Sequence, residues 1–208
     1  MTGFIGWFSR LKRRRAEGDR GAALVEFTLM APVLALIVAG VLEFGLAWRD
    51  SMTVSNALRA GARVGSNAGR ERAADYTILK SVEAAMAEVP SSRILRVIVY
   101  KAATSNSTVP ANCLAVAGSG GVAGSCNVYR TSDLARPASD FTASCTGNSG
   151  SAPDRYWCPT GRQATQALGA DYLGVYMEVQ YTYVTKLFPG SGITIHDRAV
   201  MRLEPRLN

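Results

Sequence analysis

Residues 27–42 are sixteen consecutive residues without a charge, FTLMAPVLALIVAGVL. Extending the run in both directions gives an apolar segment over residues 22–48, interrupted by Glu26 and Glu43. As a helix it is ~40 Å long at ~1.5 Å per residue, enough to cross a bilayer. It exceeds the ~7–15-residue apolar core of an ordinary signal peptide. A small-x-small site at Gly45-Leu46-Ala47 keeps removal near its far end open as an alternative. The carboxylate of Glu26, near the start of this helix, costs ~3 kcal/mol or more at mid-bilayer and less near an interface unless something pairs with it.

The flanks set a direction. Residues 1–21 hold Arg10, Lys12, Arg13, Arg14, Arg15 and Arg20 against Glu17 and Asp19, more than half of the net charge of +7. A basic cluster just before an apolar segment is a topology signal that keeps that end cytoplasmic. No aromatic-bearing recognition element accompanies it, so nucleic acid is not the expected partner. Trp48 and Arg49 suit the far interface as aromatic and snorkelling anchors. Phe4, Ile5, Trp7 and Phe8 suit the cytoplasmic membrane surface, with disorder of the leader as the alternative. The expected organisation is a leader at 1–21 and a transmembrane helix at 22–48. A helical continuation with a second helix follows at 49–89, then an extracytoplasmic β domain at 90–208.

Beyond the span, residues 50–65 contain no proline and keep Val54, Leu58 and Ala62 at helical spacing, so one helix is expected from 22 to about 65. Pro32 kinks it or frees a carbonyl. Ala57, Ala60, Gly61 and Ala62 permit close packing. Residues 66–69 read as a turn. Residues 70–88 read as an amphipathic helix through Ala74, Ile78, Val82 and Ala85, stopped by Pro90. Three strands follow: 94–101, with Leu95, Val97 and Val99 on one face; 175–184; and 193–203. The Phe188-Pro-Gly-Ser-Gly192 turn makes the last two an antiparallel pair. The fold class is α+β. The outer half of the long helix packs, with the second helix, on a small antiparallel sheet.

Residues 102–170 are rich in small residues and lack strong periodicity. They contain all four cysteines, Cys113, Cys126, Cys145 and Cys158, at spacings of 13, 19 and 13. An even count on the outer side reads as two disulfides. Three pairings are possible, and the equal short loops favour Cys113–Cys126 with Cys145–Cys158. The segment is therefore expected to be an ordered, stapled insertion. Zinc is disfavoured, because His196 is the single histidine and no CxxC occurs. Gly118–Ala123 formally fits GxGxxA without the strand and helix that a nucleotide site needs, and reads as a flexible glycine turn. Asp133, Asp140 and Asp154 match no calcium-loop spacing. Asn106-Ser107-Thr108 is a glycosylation triplet of the kind that arises by chance. His196 alternates with Thr194 and Arg198, away from the apolar face. With no GxSxG, HExxH or P-loop in the chain, a non-enzymatic protein without cofactor is expected.

One constellation remains, Gly21 to Phe27. A cut after Gly21 makes Ala22 a free ammonium with Glu26 one helical turn further on. In an assembly of parallel helices, Glu26 of one subunit can meet that amine on its neighbour. Opposite charges ~4 Å apart attract by several kcal/mol at an effective dielectric of ~20. The pairing offsets the burial cost and sets the stagger between subunits. The competing reading is a plain, uncleaved anchor for an extracytoplasmic binding module.

The pattern Gly21-Ala-Ala-Leu-Val-Glu26-Phe27, after a basic leader and before an apolar helix, resembles a type IV prepilin processing site, with Glu26-Phe27 similar to that of the Flp/Tad branch. The chain looks like a TadE/TadF-type pseudopilin. The likeness continues in GVLEFG at 40–45 and in NALRAGAR at 56–63. It returns in DYLGV at 171–175, TKLFP at 185–189 and AVMRLEP at 199–205. The resemblance implies cleavage between Gly21 and Ala22 by a prepilin peptidase. It implies a minor role in initiating or capping a tight-adherence pilus. Implied partners are other pilins, the inner-membrane platform and a cytoplasmic ATPase, in a hetero-oligomer. The implied location is the inner membrane before assembly and the cell surface after it. The cysteine-bearing insertion departs from the family, and leaves open a tip or adhesion role and a lineage-specific decoration.

Overall fold

The computed structural model describes residues 5–143, 145, 151–165 and 169–205, with side chains from residue 21 onward. The expected membrane-surface placement of Phe4, Ile5, Trp7 and Phe8 lies outside the described side chains. Two units divide the chain: Met1–Leu46 with Val184–Pro189, and Ala47–Tyr183 with Gly190–Asn208.

Helix α1 (Ile5–Ala68) has 64 residues and contributes to both units. Its backbone is helical well before residue 22, where the helix was expected to begin. The stretch LKRRRAE at 11–17 consists of good helix formers, and no proline precedes Pro32. Pro32 stays inside the helix and leaves the Thr28 carbonyl without its usual donor. α1 stops at Gly69, whose φ of +53° is left-handed and whose N–H donates to the Gly65 carbonyl at 3.0 Å.

Helix α2 (Ala74–Ala85) is shorter than the expected 70–88. At its start, Glu71 N–H donates to Ala68 and Ala74 N–H to Glu71, closing turns instead of a helix. At its end, Met86 N–H is shared between the Val82 and Glu83 carbonyls, and Val89 N–H donates to Met86, which tightens the chain before Pro90.

The sheet is wholly antiparallel, with spatial order β2-β3-β1-β4-β5. Its strands are β1 (Ile94–Ala102), β2 (Gly120–Val122), β3 (Cys126–Tyr129), β4 (Tyr172–Thr182) and β5 (Gly192–Arg202). One face carries Val97, Val99, Tyr129, Val175, Met177 and Val179 into a core shared with Val54, Leu58 and Ala62 of α1 and Ile78, Leu79 and Val82 of α2. Each large aliphatic taken fully out of water here contributes ~1.5–3 kcal/mol. The helices approach closely at two glycines. A methyl on Gly61 would stand 2.6 Å from Val82 Cγ2, and one on Gly65 2.7 Å from Ile78 Cδ1.

Two expectations are corrected. Leu95 was assigned to the core face of β1, yet it is 36% exposed while Ile94 is buried. The pairing of β1 with β4 shifts register between Ile94 and Arg96, and such a bulge moves the residues before it to the other face. The insertion at 102–170 was read as an ordered, stapled loop region without strong periodicity. It supplies β2 and β3, and with them the short helices α3 (Ala111–Leu114), α4 (Thr131–Leu134) and α5 (Ala138–Thr142). Part of it covers the second face of the sheet. Val109, Cys113, Cys126 and Val128 pack there on Ile98, Tyr100 and Tyr176. The glycine turn expected at 118–123 is in part strand β2. A side chain at Gly121 would meet the Cys126 carbonyl at 2.2 Å, so only glycine fits this close pairing.

Candidate functional site

In the first unit, Gly21, Ala22, Glu26 and Phe27 all lie on α1 and are exposed, Phe27 by 70%. Residues four apart on a helix share a face, so Ala22 and Glu26 stand one above the other. Leu24, Leu29, Met30, Val33, Leu34, Ile37, Val41, Leu42 and Phe44 continue this exposed apolar surface. Within Gly21–Ala68, α1 is long and apolar enough to cross a membrane, and its most apolar window is wholly unburied.

Two described residues of this unit's helix are buried. Ala39 and Glu43, again four apart, are 9% and 4% exposed. The Glu43 carboxylate accepts hydrogen bonds from the N–H of Val184 (2.8 Å), the N–H of Thr185 (3.0 Å) and Thr185 Oγ1 (2.9 Å). One turn back along α1, the backbone of Gly40 faces Phe188, and a methyl there would stand 3.8 Å from its ring. Sequence reading treated Glu43 as a bare interruption of the apolar run. GVLEFG and TKLFP were each recognisable on their own, but nothing in either string says that they touch.

The second unit holds a buried polar cluster that sequence reading also missed. Asp75 on α2 accepts from Tyr129 Oη (2.6 Å), from Asn127 Nδ2 (2.9 Å) and from Arg162. Asp75 and Arg162 form an ion pair with both side chains fully buried. Asn127 also bridges the Trp157 backbone, donating to its carbonyl at 3.0 Å and accepting from its N–H at 2.9 Å. The Arg162 guanidinium lies 4.2 Å over the Trp157 ring. This network fastens residues 155–162 to β3 and α2. Asp154 is buried beside it, and neither carboxylate oxygen has a hydrogen-bond partner among the described residues. Burial, and then the neighbouring Asp75 charge, push its carboxyl up to about 7, against the pull of Arg162. One buried arginine faces two carboxylates, so Asp154 keeps its proton into the neutral range.

The structure pairs Cys113 with Cys126 and Cys145 with Cys158. The first bridge ties α3 to β3 on the second face of the sheet. The second joins residue 145 to the segment that the polar cluster holds. The three aspartates weighed for calcium do not converge. Asp133 and Asp140 share Arg136, while Asp154 sits with Asp75. Among the described residues no three His, Cys, Asp or Glu gather to hold a metal. On β5, His196 stands opposite Glu178. Glu178 accepts from Arg96 through both oxygens, at 2.8 and 2.6 Å, and from Tyr176 Oη at 2.6 Å. Burial raises that carboxyl, but the bonds from Arg96 and Tyr176 outweigh it and hold it below the usual range. Arg96, Tyr176 and Glu178 thus bind one another. A cleft of about 190 Å³ lies between Ser119, Asp133, Arg136 and Tyr156, and its Asp133 is engaged by Ser119, Arg136 and the Arg130 N–H.

The class these observations define is an α+β protein with one membrane-capable N-terminal helix and a disulfide-stapled antiparallel domain. The family model described as TadE-like protein matches residues 21–63, from the glycine before the apolar run to the small-residue stretch that packs on α2. Over that segment the chain is similar to TadE-like proteins. No curated protein and no solved structure matches the chain.

Proposed function

We propose that this chain is a minor pilin or pseudopilin that helps initiate or cap a Tad/Flp-type pilus used in adherence. The observation that carries the reading is Glu26: an exposed carboxylate on an exposed apolar helix, five residues past Gly21, within the TadE-like segment. In this reading residues 1–21 are a cytoplasmic leader that a prepilin peptidase removes between Gly21 and Ala22. Residues 22–48 cross the inner membrane, and the rest lies outside, where disulfides persist. The new ammonium of Ala22 pairs with Glu26 of a neighbouring subunit, and Phe27 packs in the same interface. Partners are other pilins, the peptidase and the inner-membrane platform. After assembly the subunit sits in the pilus at the cell surface.

N-terminal sequencing of the protein from cells with an active prepilin peptidase is expected to begin at Ala22. Retention of Met1 removes the processing step and leaves a tethered binding module. Glu26→Ala is expected to insert normally yet to recover less partner pilin on co-purification. Unchanged recovery removes the charge-pairing step.

A further inference from the structure

Residues 184–189, Val-Thr-Lys-Leu-Phe-Pro, sit against α1 within the first unit. Their placement along α1 is fixed at two points. Glu43 binds the amides of Val184 and Thr185, and Gly40 faces Phe188. Gly40 is three residues nearer the middle of the apolar run, ~4.5 Å deeper at ~1.5 Å per residue. A hydrocarbon layer of ~30 Å takes up ~20 helical residues. Counted back from Glu43, that layer begins near Leu24, so Phe188 reaches the level of its outer edge.

The loop's chemistry suits that depth. Val184, Leu187 and Phe188 are 62%, 57% and 40% exposed, an apolar set no folded core absorbs. Val41, Leu42 and Phe44, at the same level of α1 as Gly40 and Glu43, are exposed and apolar as well. Non-helical backbone at this level needs its amides satisfied within the protein. The Glu43 carboxylate does that for Val184 and Thr185, while Pro189 has no N–H to satisfy. Lys186 is exposed between the apolar residues, and its long stem suits an ammonium reaching up to anionic headgroups.

We infer that residues 184–189 form a second contact of this chain with the lipid bilayer, an interfacial loop clamped to the outer end of the span by Glu43. The inference rests on α1 crossing a membrane and is independent of cleavage at Gly21.

The test uses the full chain in vesicles of phosphatidylcholine and phosphatidylglycerol. All four native cysteines are in disulfides, so one added cysteine takes an environment-sensitive nitrobenzoxadiazole probe. Three variants are compared: Leu187→Cys in the loop, Leu34→Cys at mid-span and Thr108→Cys on the outer surface. The expected result is that the Leu187 probe emits to the blue of the Thr108 probe. Lipids spin-labelled near the headgroup should quench it more than lipids labelled deep in the chain, with the reverse order at Leu34. If the Leu187 probe behaves like the Thr108 probe while the Leu34 probe is quenched, the loop contact is overturned and the membrane helix stands. A blue-shifted Leu187 probe that no lipid label quenches is covered by protein, and also overturns it. An unquenched Leu34 probe overturns both the span and the loop.

Discussion

Glu43 and Thr185 lie 142 residues apart, and the Glu43 carboxylate accepts both the N–H and the hydroxyl of Thr185. A carboxylate in an apolar segment is a liability when nothing binds it. Here it gathers three donors from the chain that leads out of β4, and it is 4% exposed. The acidic residue that interrupts the apolar run is thus the acceptor that holds a loop in place.

Glu43→Ala leaves two amides and a hydroxyl without their acceptor. Each such loss costs ~1–3 kcal/mol where the donor stays buried. Exchange of the Val184 and Thr185 amides is expected to rise about tenfold or more, since ~1.4 kcal/mol is a factor of ten. Hydrogen exchange by mass spectrometry reads this directly, and unchanged protection at both amides contradicts the clamp. Glu43→Gln, which keeps one acceptor oxygen, is expected to fall between.

Gly61→Ala tests the contact between α1 and α2. Alanine in place of a mid-helix glycine gains ~0.5–1 kcal/mol in isolation. Here its methyl would meet Val82 Cγ2 at 2.6 Å, and overpacking of this kind costs ~1–3 kcal/mol. Net destabilisation is expected in thermal unfolding followed by near-UV circular dichroism. Adding Val82→Ala should remove the clash and recover part of the loss. If Gly61→Ala is neutral or stabilising, α2 does not approach α1 this closely.

The carboxyl of Asp154 gives a pH dependence with a definite sign. Its folded-state value, about 7, lies above the ordinary value of 3.8, so the folded form binds the proton more tightly. The stability this contributes is complete below ~pH 4 and is lost as pH rises through about 7. The charged groups that face Asp154 are Asp75 and Arg162. Glu178, held low by Arg96, acts in the opposite sense and in acid, losing its contribution as pH falls below the ordinary carboxylate range. The melting temperature is therefore expected to fall between pH 5 and pH 8, and Asp154→Asn should flatten that slope. An equal slope in the variant shows that Asp154 is ionised throughout.

Joint replacement of Cys113 and Cys126 by alanine is expected to cost about 3 kcal/mol, as for a closed loop of ~15 residues. Both cysteines are fully buried in the cluster on the second face of the sheet, so the loss should loosen that face before the helical face. Amide exchange in β3 rising ahead of that in β4 would show this order. Intact mass before and after reduction should differ by four hydrogens if both bridges form.

Strands β1, β4 and β5 were legible because alternation of apolar and polar residues is a local signal. So were the C-terminal part of α1 and the centre of α2, where Val54, Leu58, Ile78 and Val82 recur at helical spacing. Leu95 was misplaced because a bulge is a property of two strands paired, and its own strand's pattern does not show it. β2 and β3 have three and four residues, too few to show a period. α2 lost its first turn to hydrogen bonds between Ala68, Glu71 and Ala74, which compete with helix without altering the apolar pattern.

Composition and period by themselves determined the membrane-capable helix, the α+β class and the even set of four cysteines, and they set Glu26 apart in the apolar run. Each is written in neighbouring residues, where hydrophobic transfer and helical periodicity act. Tertiary structure alone decided the fate of the remaining charges. Glu43 meets Thr185, Asp75 meets Arg162 across 87 residues, and Asp154 is left buried beside them. A buried charge is tolerated only where folding delivers its partner. Partners that come from distant segments leave no trace in the local pattern of either.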